Sequence, residues 1–272
     1  MSSFEKINET TEFLKKYNTS NAKIAVVLGS GLGNFVQEIV VQKEIPYTDI
    51  PHFPVSTVQG HSGKLIFGTI AGKPIIAMAG RFHFYEGYSA KDVVFPIRVM
   101  KFLGVETLFL SNAAGGVNTG FKVGDLMIIK DHISFATKNP LIGKNDDRLG
   151  PRFPDMSEPY NKQLIKKAKE IARQKNIDLK DGVYFCVTGP TFETHAEYKM
   201  VHVLGGDAVG MSTVQEVIIA RHMNMNVFAM SVITDIGIRD DDNIITHEEV
   251  LQAAKQAEPK FSTIFRELIA SL

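Results

Sequence analysis

The sequence predicts an α/β fold: one domain built on a mixed central β-sheet with helices on its faces. Short apolar runs rich in β-branched residues recur along the chain, and helical patterns lie between them. No internal repeat, linker or low-complexity stretch divides the 272 residues, so 1–272 reads as a single domain.

Residues 4–17 place Phe4, Ile7, Phe13 and Leu14 among charges, a weakly amphipathic helix. The run Ile24-Ala25-Val26-Val27-Leu28 stops at Gly29 and reads as a buried strand. Similar runs fill 65–70, 74–79, 107–110, 126–129, 183–187 and 227–233. Strands covered by helices on both faces carry such unbroken apolar sequence. Residues 90–103 form a helix between the N-cap Ser89 and the stop Gly104. Residues 160–175 set Leu164, Ile165, Ala168, Ile171 and Ala172 on one stripe. A helix over 213–224 opens at Ser212 or Thr213, with Glu216 spaced as the capping-box partner of Thr213. The last helix starts at Thr246 and repeats that signature with Glu249. The polar stretch 138–152 is long enough to be a lid or contact loop.

Charge and cysteine content exclude several classes. Lysine plus arginine and aspartate plus glutamate number 30 each, so the chain lacks the basic excess of a protein that neutralises nucleic-acid phosphates or a membrane surface. One cysteine, Cys186, sits in an apolar run and reads as an inert buried thiol. A lone cysteine and an N-terminus without signal-peptide character predict a reducing, cytoplasmic location. No apolar stretch reaches the roughly 20 residues of a membrane helix.

Five segments could carry chemistry. Gly29-Ser30-Gly31-Leu32-Gly33 follows a strand, but Asn34 breaks the dinucleotide fingerprint, no Gly-Lys-Ser/Thr follows, and Leu28 breaks the hydrolase elbow. It is either an anion-binding turn with a hydroxyl or a plain strand-to-loop turn. Arg81 and His83 point the same way from an extended segment, as a phosphate site or as part of an aromatic-anchored surface loop. Ser111-Asn112-Ala113-Ala114-Gly115-Gly116 follows a third strand, and its small residues admit a ligand close to backbone. Phe192 and Glu193 offer a ring to stack on a heterocycle and an acceptor for its N–H, or else mark a helix start. In Gly210-Met211-Ser212, Ser212 could cap a helix, bind an anion, or both. His247-Glu248-Glu249 lacks the spacing of a zinc site, and Asp240-Asp241-Asp242 lacks that of a calcium loop.

In order, these segments resemble the trimeric class of purine nucleoside phosphorylases. Gly60-His61-Ser62-Gly63, Arg152-Phe153-Pro154-Asp155-Met156-Ser157 and His247-Glu248-Glu249-Val250-Leu251 extend the likeness over nearly the whole chain. The resemblance implies phosphorolysis of inosine and guanosine to free base and (deoxy)ribose 1-phosphate by a homotrimer. Phosphate is then the co-substrate, and no cofactor or metal is needed. It implies phosphate held by Ser30, Arg81, His83, Ser212 and the Ala113 backbone, with His61 nearby. Tyr85 and Met211 would flank the ribose, His247 would meet its 5′-hydroxyl, and Phe153 would enter a neighbouring subunit's site. Phe192 and Glu193 would face the purine, with Asn112, Ala114 and Val209 lining its pocket. His83, Glu193 and Asp235 would be the catalytic groups. One position departs: Ser231-Val232-Ile233-Thr234-Asp235 carries aspartate where the family has asparagine. An ionised aspartate only accepts hydrogen bonds. Asp235 must therefore be protonated to serve a 6-oxopurine, or it accepts from a 6-amino group. That departure brings in 5′-methylthioadenosine phosphorylase as the alternative, with a non-catalytic purine nucleoside-binding protein as a further one.

Overall fold

Nine strands and seven α-helices form among the described residues of the computed structural model, 1–55, 62–238 and 245–272. In chain order they are α1 (Ser3–Lys15), β1 (Ile24–Val27), β2 (Val40–Pro46), β3 (Lys64–Ile70), β4 (Lys73–Ala79), α2 (Ala90–Val93), α3 (Phe95–Phe102) and β5 (Thr107–Gly116). There follow β6 (Leu126–Ile133), α4 (Lys162–Gln174), β7 (Leu179–Cys186), α5 (His195–Val203), β8 (Ala208–Gly210), α6 (Val214–His222), β9 (Asn226–Ile236) and α7 (His247–Ala270).

The expected mixed sheet is present. β1 pairs in parallel with both β4 and β5, while β3 runs antiparallel to both of its neighbours, β2 and β4. Beyond β5 the sheet curls on itself. β5 pairs with β9, β9 with β6, β6 with β7, β7 with β8, and β8 returns to β5. Closing one end of a sheet this way leaves it no free edge there.

Two apolar layers sandwich the sheet. On one side α7 lays Phe261, Phe265 and Leu268 over Phe109 and Phe228. On the other, Met100 of α3 and Val217 of α6 pack with Val27 and Ile76.

Several elements differ from their sequence patterns. The helix expected over 90–103 breaks at Val94 into α2 and α3, because Pro96 sits in the first turn of α3 and cannot donate to a continuing helix. α4 starts at Lys162 rather than 160, where the Asn161 side chain accepts from the Gln163 and Leu164 N–H groups. Thr246 and Glu249 do form the capping box of α7. Thr213 and Glu216 do not cap α6: Thr213 has φ +74° with no side-chain cap, and Glu216 pairs elsewhere. Ser111 to Gly116, expected as a loop, form the second half of β5.

The turn after β1 depends on two glycines. A Cβ at Gly29 would sit 2.5 Å from the Ser111 carbonyl oxygen, so this turn can lie against β5 only without a side chain. Gly31 has φ +74°, and a Cβ there would come within 2.4 Å of the Ala254 Cβ on α7. Gly31→Ala is expected to destabilise the fold by about 1–3 kcal/mol, read as a lower urea midpoint. An unchanged midpoint would mean that α7 yields at no cost.

Candidate active site

The curled half of the sheet and the turn after β1 enclose a cavity of about 350 Å³. It lies at the carboxyl ends of β1, β4 and β7 and along the second halves of β5 and β9, the usual ligand position in an open α/β sheet. Ser30, Arg81, His83, Ala113 and Ser212 all line it, as do Tyr85, Met211 and His247. So do Asn112, Ala114, Phe192, Glu193, Val209 and Asp235. Two expected residues are not in this wall: Phe153 is 86% exposed on the surface, and His61 lies outside the described residues.

Arg81 is held more firmly than its sequence context suggests. It is 1% exposed, and its Nη2 meets Glu216 Oε2 at 3.1 Å. Its Nη1 donates to the Ser111 carbonyl and reaches Ser212 Oγ at 3.5 Å. Glu216 is thus the counter-charge of Arg81, supplied from α6 135 positions away. α6 starts from Thr213, whose φ of +74° lies in a backbone region costly for a β-branched residue. The Thr213 hydroxyl compensates by accepting from Asn112 Nδ2 at 2.8 Å.

His83 is oriented from below. Glu86 Oε1 accepts from the His83 backbone N–H at 2.8 Å and from Nδ1 at 3.1 Å. A carboxylate can only accept, so Nδ1 carries the proton. Burial lowers the His83 pKa, which favours the neutral ring with Nε2 as its acceptor nitrogen. The Tyr85 ring stacks on it, with centroids 4.6 Å apart and 15° between planes.

The other polar groups of the wall are carboxyls and an amide. Burial raises the Glu193 pKa, and the nearby Asp235 adds to the rise. Glu193 Oε1 and Asn112 Oδ1 are buried with no hydrogen-bond partner among the described residues. Tyr198, on α5, donates to Asp235 Oδ2 at 3.4 Å, and Thr234 Oγ1 donates to Asp235 Oδ1 at 3.1 Å. Sequence reasoning passed over Tyr198, which is 3% exposed and reads as a core aromatic. α5 does start beside Glu193, as its alternative reading required, with Thr194 as N-cap. Cys186 is buried, and burial pushes its thiol up to about 12, as expected of an inert cysteine. Among the described residues no group of His, Cys, Asp or Glu is arranged to hold a metal, and no helix is long and apolar enough to cross a membrane.

This arrangement has close parallels. Residues 23–270 match the phosphorylase superfamily. The purine nucleoside phosphorylase 1 of Geobacillus stearothermophilus is 49% identical, with 98% of this chain and 97% of the relative covered. A crystal structure of isoform 2 of the Schistosoma mansoni purine nucleoside phosphorylase, in complex with cytosine and ribose-1-phosphate, superposes with a TM-score of 0.94 at 43% identity, covering 99% of this chain and 97% of that one. A Schistosoma mansoni purine nucleoside phosphorylase in complex with adenosine gives 0.93 at 42% identity, covering 100% and 99%. The chain belongs to the phosphorylase superfamily and, within it, is a purine nucleoside phosphorylase, a pentosyltransferase.

Proposed function

We propose that this phosphorylase splits inosine and guanosine, works as a homotrimer in the cytoplasm, and uses inorganic phosphate as its co-substrate with no cofactor. One observation carries the reading. A single cavity brings serine hydroxyls, Arg81 and the acceptor nitrogen of a neutral histidine together with a buried carboxylate oxygen that lacks a partner among the described residues. The first group suits a phosphate, and the second suits the N1–H of a 6-oxopurine. The ribose 1-phosphate bound to the Schistosoma mansoni relative is what phosphorolysis leaves behind.

Each residue then has a task. Ser30, Ser212, Arg81 and the Ala113 N–H hold the phosphate, with His61 beside it. His83 Nε2 takes the proton that the phosphate gives up. Tyr85 and Met211 flank the ribose, and His247 binds its 5′-hydroxyl. Phe192 packs on the purine, Glu193 accepts from N1–H, and Asn112, Ala114 and Val209 line the base pocket. Phe153, exposed on its own subunit, reaches the site of the next.

The bond from ribose C1′ to purine N9 breaks while one from C1′ to a phosphate oxygen forms. Positive charge grows on the sugar, as in glycoside hydrolysis, and the phosphate opposes it. The electron pair of the broken bond stays with the purine, and protonated Asp235 gives N7 its proton. Positioned charges and hydrogen bonds lower the barrier without a covalent enzyme intermediate.

The test is base release from inosine and guanosine, with and without phosphate. Release that needs phosphate is expected. Release only from 5′-methylthioadenosine would transfer the chain to that substrate, and no release from any purine nucleoside would leave a binding protein.

A further inference from the structure

The turn into α6 is strained, and the strain lines up three polar side chains. Thr213 has φ +74° and ψ −53°, and the Val214 N–H donates across it to the Ser212 carbonyl at 2.8 Å. This is the rare form of the three-residue turn, with a β-branched residue at its centre. Backbone held in so costly a region points to a function for what it positions. Successive side chains alternate between the faces of a strand and diverge on a helix. Here the turn instead sets the hydroxyls of two successive residues, Ser212 and Thr213, 3.1 Å apart. The Ser212 backbone is held as well, its N–H donating to the Tyr184 hydroxyl at 3.4 Å.

The hydrogen bonds around the two hydroxyls decide which gives its proton to which. Asn112 Nδ2 donates to Thr213 Oγ1 at 2.8 Å, and an amide nitrogen only donates. The Thr213 proton then needs an acceptor elsewhere, and among the described residues Ser212 Oγ is the one in reach. Thr213 is 1% exposed, and a buried donor left without an acceptor is costly. Ser212 Oγ also accepts from Arg81 Nη1 at 3.5 Å. With both of its lone pairs engaged, its own proton is left over, and Ser212 lines the cavity.

We infer that Asn112 and Thr213 set the direction of the Ser212 hydroxyl, so that Ser212 meets the phosphate as a hydrogen-bond donor. The inference rests on the phosphorolytic reading above, in which Ser212 holds phosphate. A charged phosphate oxygen accepts hydrogen bonds, and those to an ionised partner are the strong ones. A serine free to turn would also present a lone pair to that oxygen, which repels it. With Thr213 donating to it, the serine is turned beforehand and needs no reorganisation when phosphate arrives. The relay runs one way, from Asn112 to Thr213 to Ser212 to phosphate, and each bond polarises the next. Neither Asn112 nor Thr213 touches phosphate in this scheme, and both are positioning residues.

The experiment is steady-state phosphorolysis of inosine, with KM for phosphate and KM for inosine measured separately. The variants are Thr213→Val, Thr213→Ala, Thr213→Ser, Ser212→Ala and the double variant Ser212→Ala/Thr213→Val. Valine keeps the branch and volume of threonine and loses the hydroxyl. Alanine repeats that loss in a smaller side chain, so that one poorly packed variant does not decide the outcome. Thr213→Val and Thr213→Ala are expected to raise KM for phosphate about tenfold and to leave KM for inosine within about twofold, as fits one lost hydrogen bond to a charged group. Thr213→Ser, which keeps the hydroxyl, should restore the wild-type value. Ser212→Ala should raise KM for phosphate by itself, and adding Thr213→Val to it should change nothing further, because the relay acts only through Ser212. An unchanged KM for phosphate in Thr213→Val and Thr213→Ala, beside a raised one in Ser212→Ala, overturns the relay and leaves the phosphorylase reading standing. So does a double variant whose two effects add, a rise in both KM values alike, or a Thr213→Ser that restores nothing. Base release that does not depend on phosphate, or no release at all, overturns both.

Discussion

Arg81→Met is expected to abolish phosphorolysis and also to weaken the fold. The guanidinium is 1% exposed and meets Glu216, itself 3% exposed, at 3.1 Å. Removing one partner leaves a buried carboxylate unpaired, which typically costs about 3–5 kcal/mol. The lost activity alone would therefore not show that Arg81 meets phosphate. The double variant Arg81→Met/Glu216→Leu separates the two effects. Apolar replacement of a whole buried pair is often neutral for stability, so the double variant should recover most of the denaturation midpoint. Its phosphate-dependent base release should stay lost. Recovery of both would mean that Arg81 serves only to hold Ser111 and α6 in place, leaving the serines and the Ala113 N–H to bind the anion.

That example also marks where local sequence logic stops. Glu216 stands three residues after Thr213, as a capping box requires, yet its partner is an arginine on the far side of the chain. Spacing rules see neighbours in sequence, and an ion pair 135 residues apart is invisible to them. The same limit hid Tyr198, whose apolar ring makes it look like core although its hydroxyl donates to Asp235 in the wall of the cavity. Strands followed burial. β1, β3 and β4 are continuous apolar runs and were readable as such. β2, an edge strand with only Ile45 buried along its length, carries no such run, and β8 is only Ala208–Gly210. In sequence, 111–116 reads as a loop after a strand, its small residues admitting a ligand close to backbone. They serve a strand whose neighbours press against it, with an Asp235 oxygen 2.8 Å from where a Gly115 Cβ would stand. The site itself was legible because its hydroxyls, Arg81, His83 and Glu193 fall at strand ends. An α/β fold gathers such ends in one place.

Glu193→Ala should cost the most activity for the least structure. Its Oε1 is buried with no partner among the described residues, so a substrate N–H is the natural occupant of that acceptor. Loss of an acceptor whose bond strengthens as the purine departs should lower kcat/KM for inosine by about 10²–10³-fold. Stability should move the other way. An unsatisfied buried carboxylate burdens the fold, so its removal should raise stability at pH 7 by about 1 kcal/mol. The sign of the pH dependence follows from burial, which raises this carboxyl's pKa in the folded chain. The folded state then binds the proton more tightly than the unfolded one, so wild-type stability falls as pH rises from the ordinary carboxyl value through the raised one. The gain in Glu193→Ala should accordingly be full above that window and vanish below it. Thermal unfolding at pH 7 and at pH 4, run beside the kinetics, reads both. A variant that keeps near-normal turnover on every purine nucleoside would remove Glu193 from the chemistry. One that loses activity and stability together at pH 7 would make it a structural residue, because a group that only binds substrate leaves the empty fold no weaker when it goes.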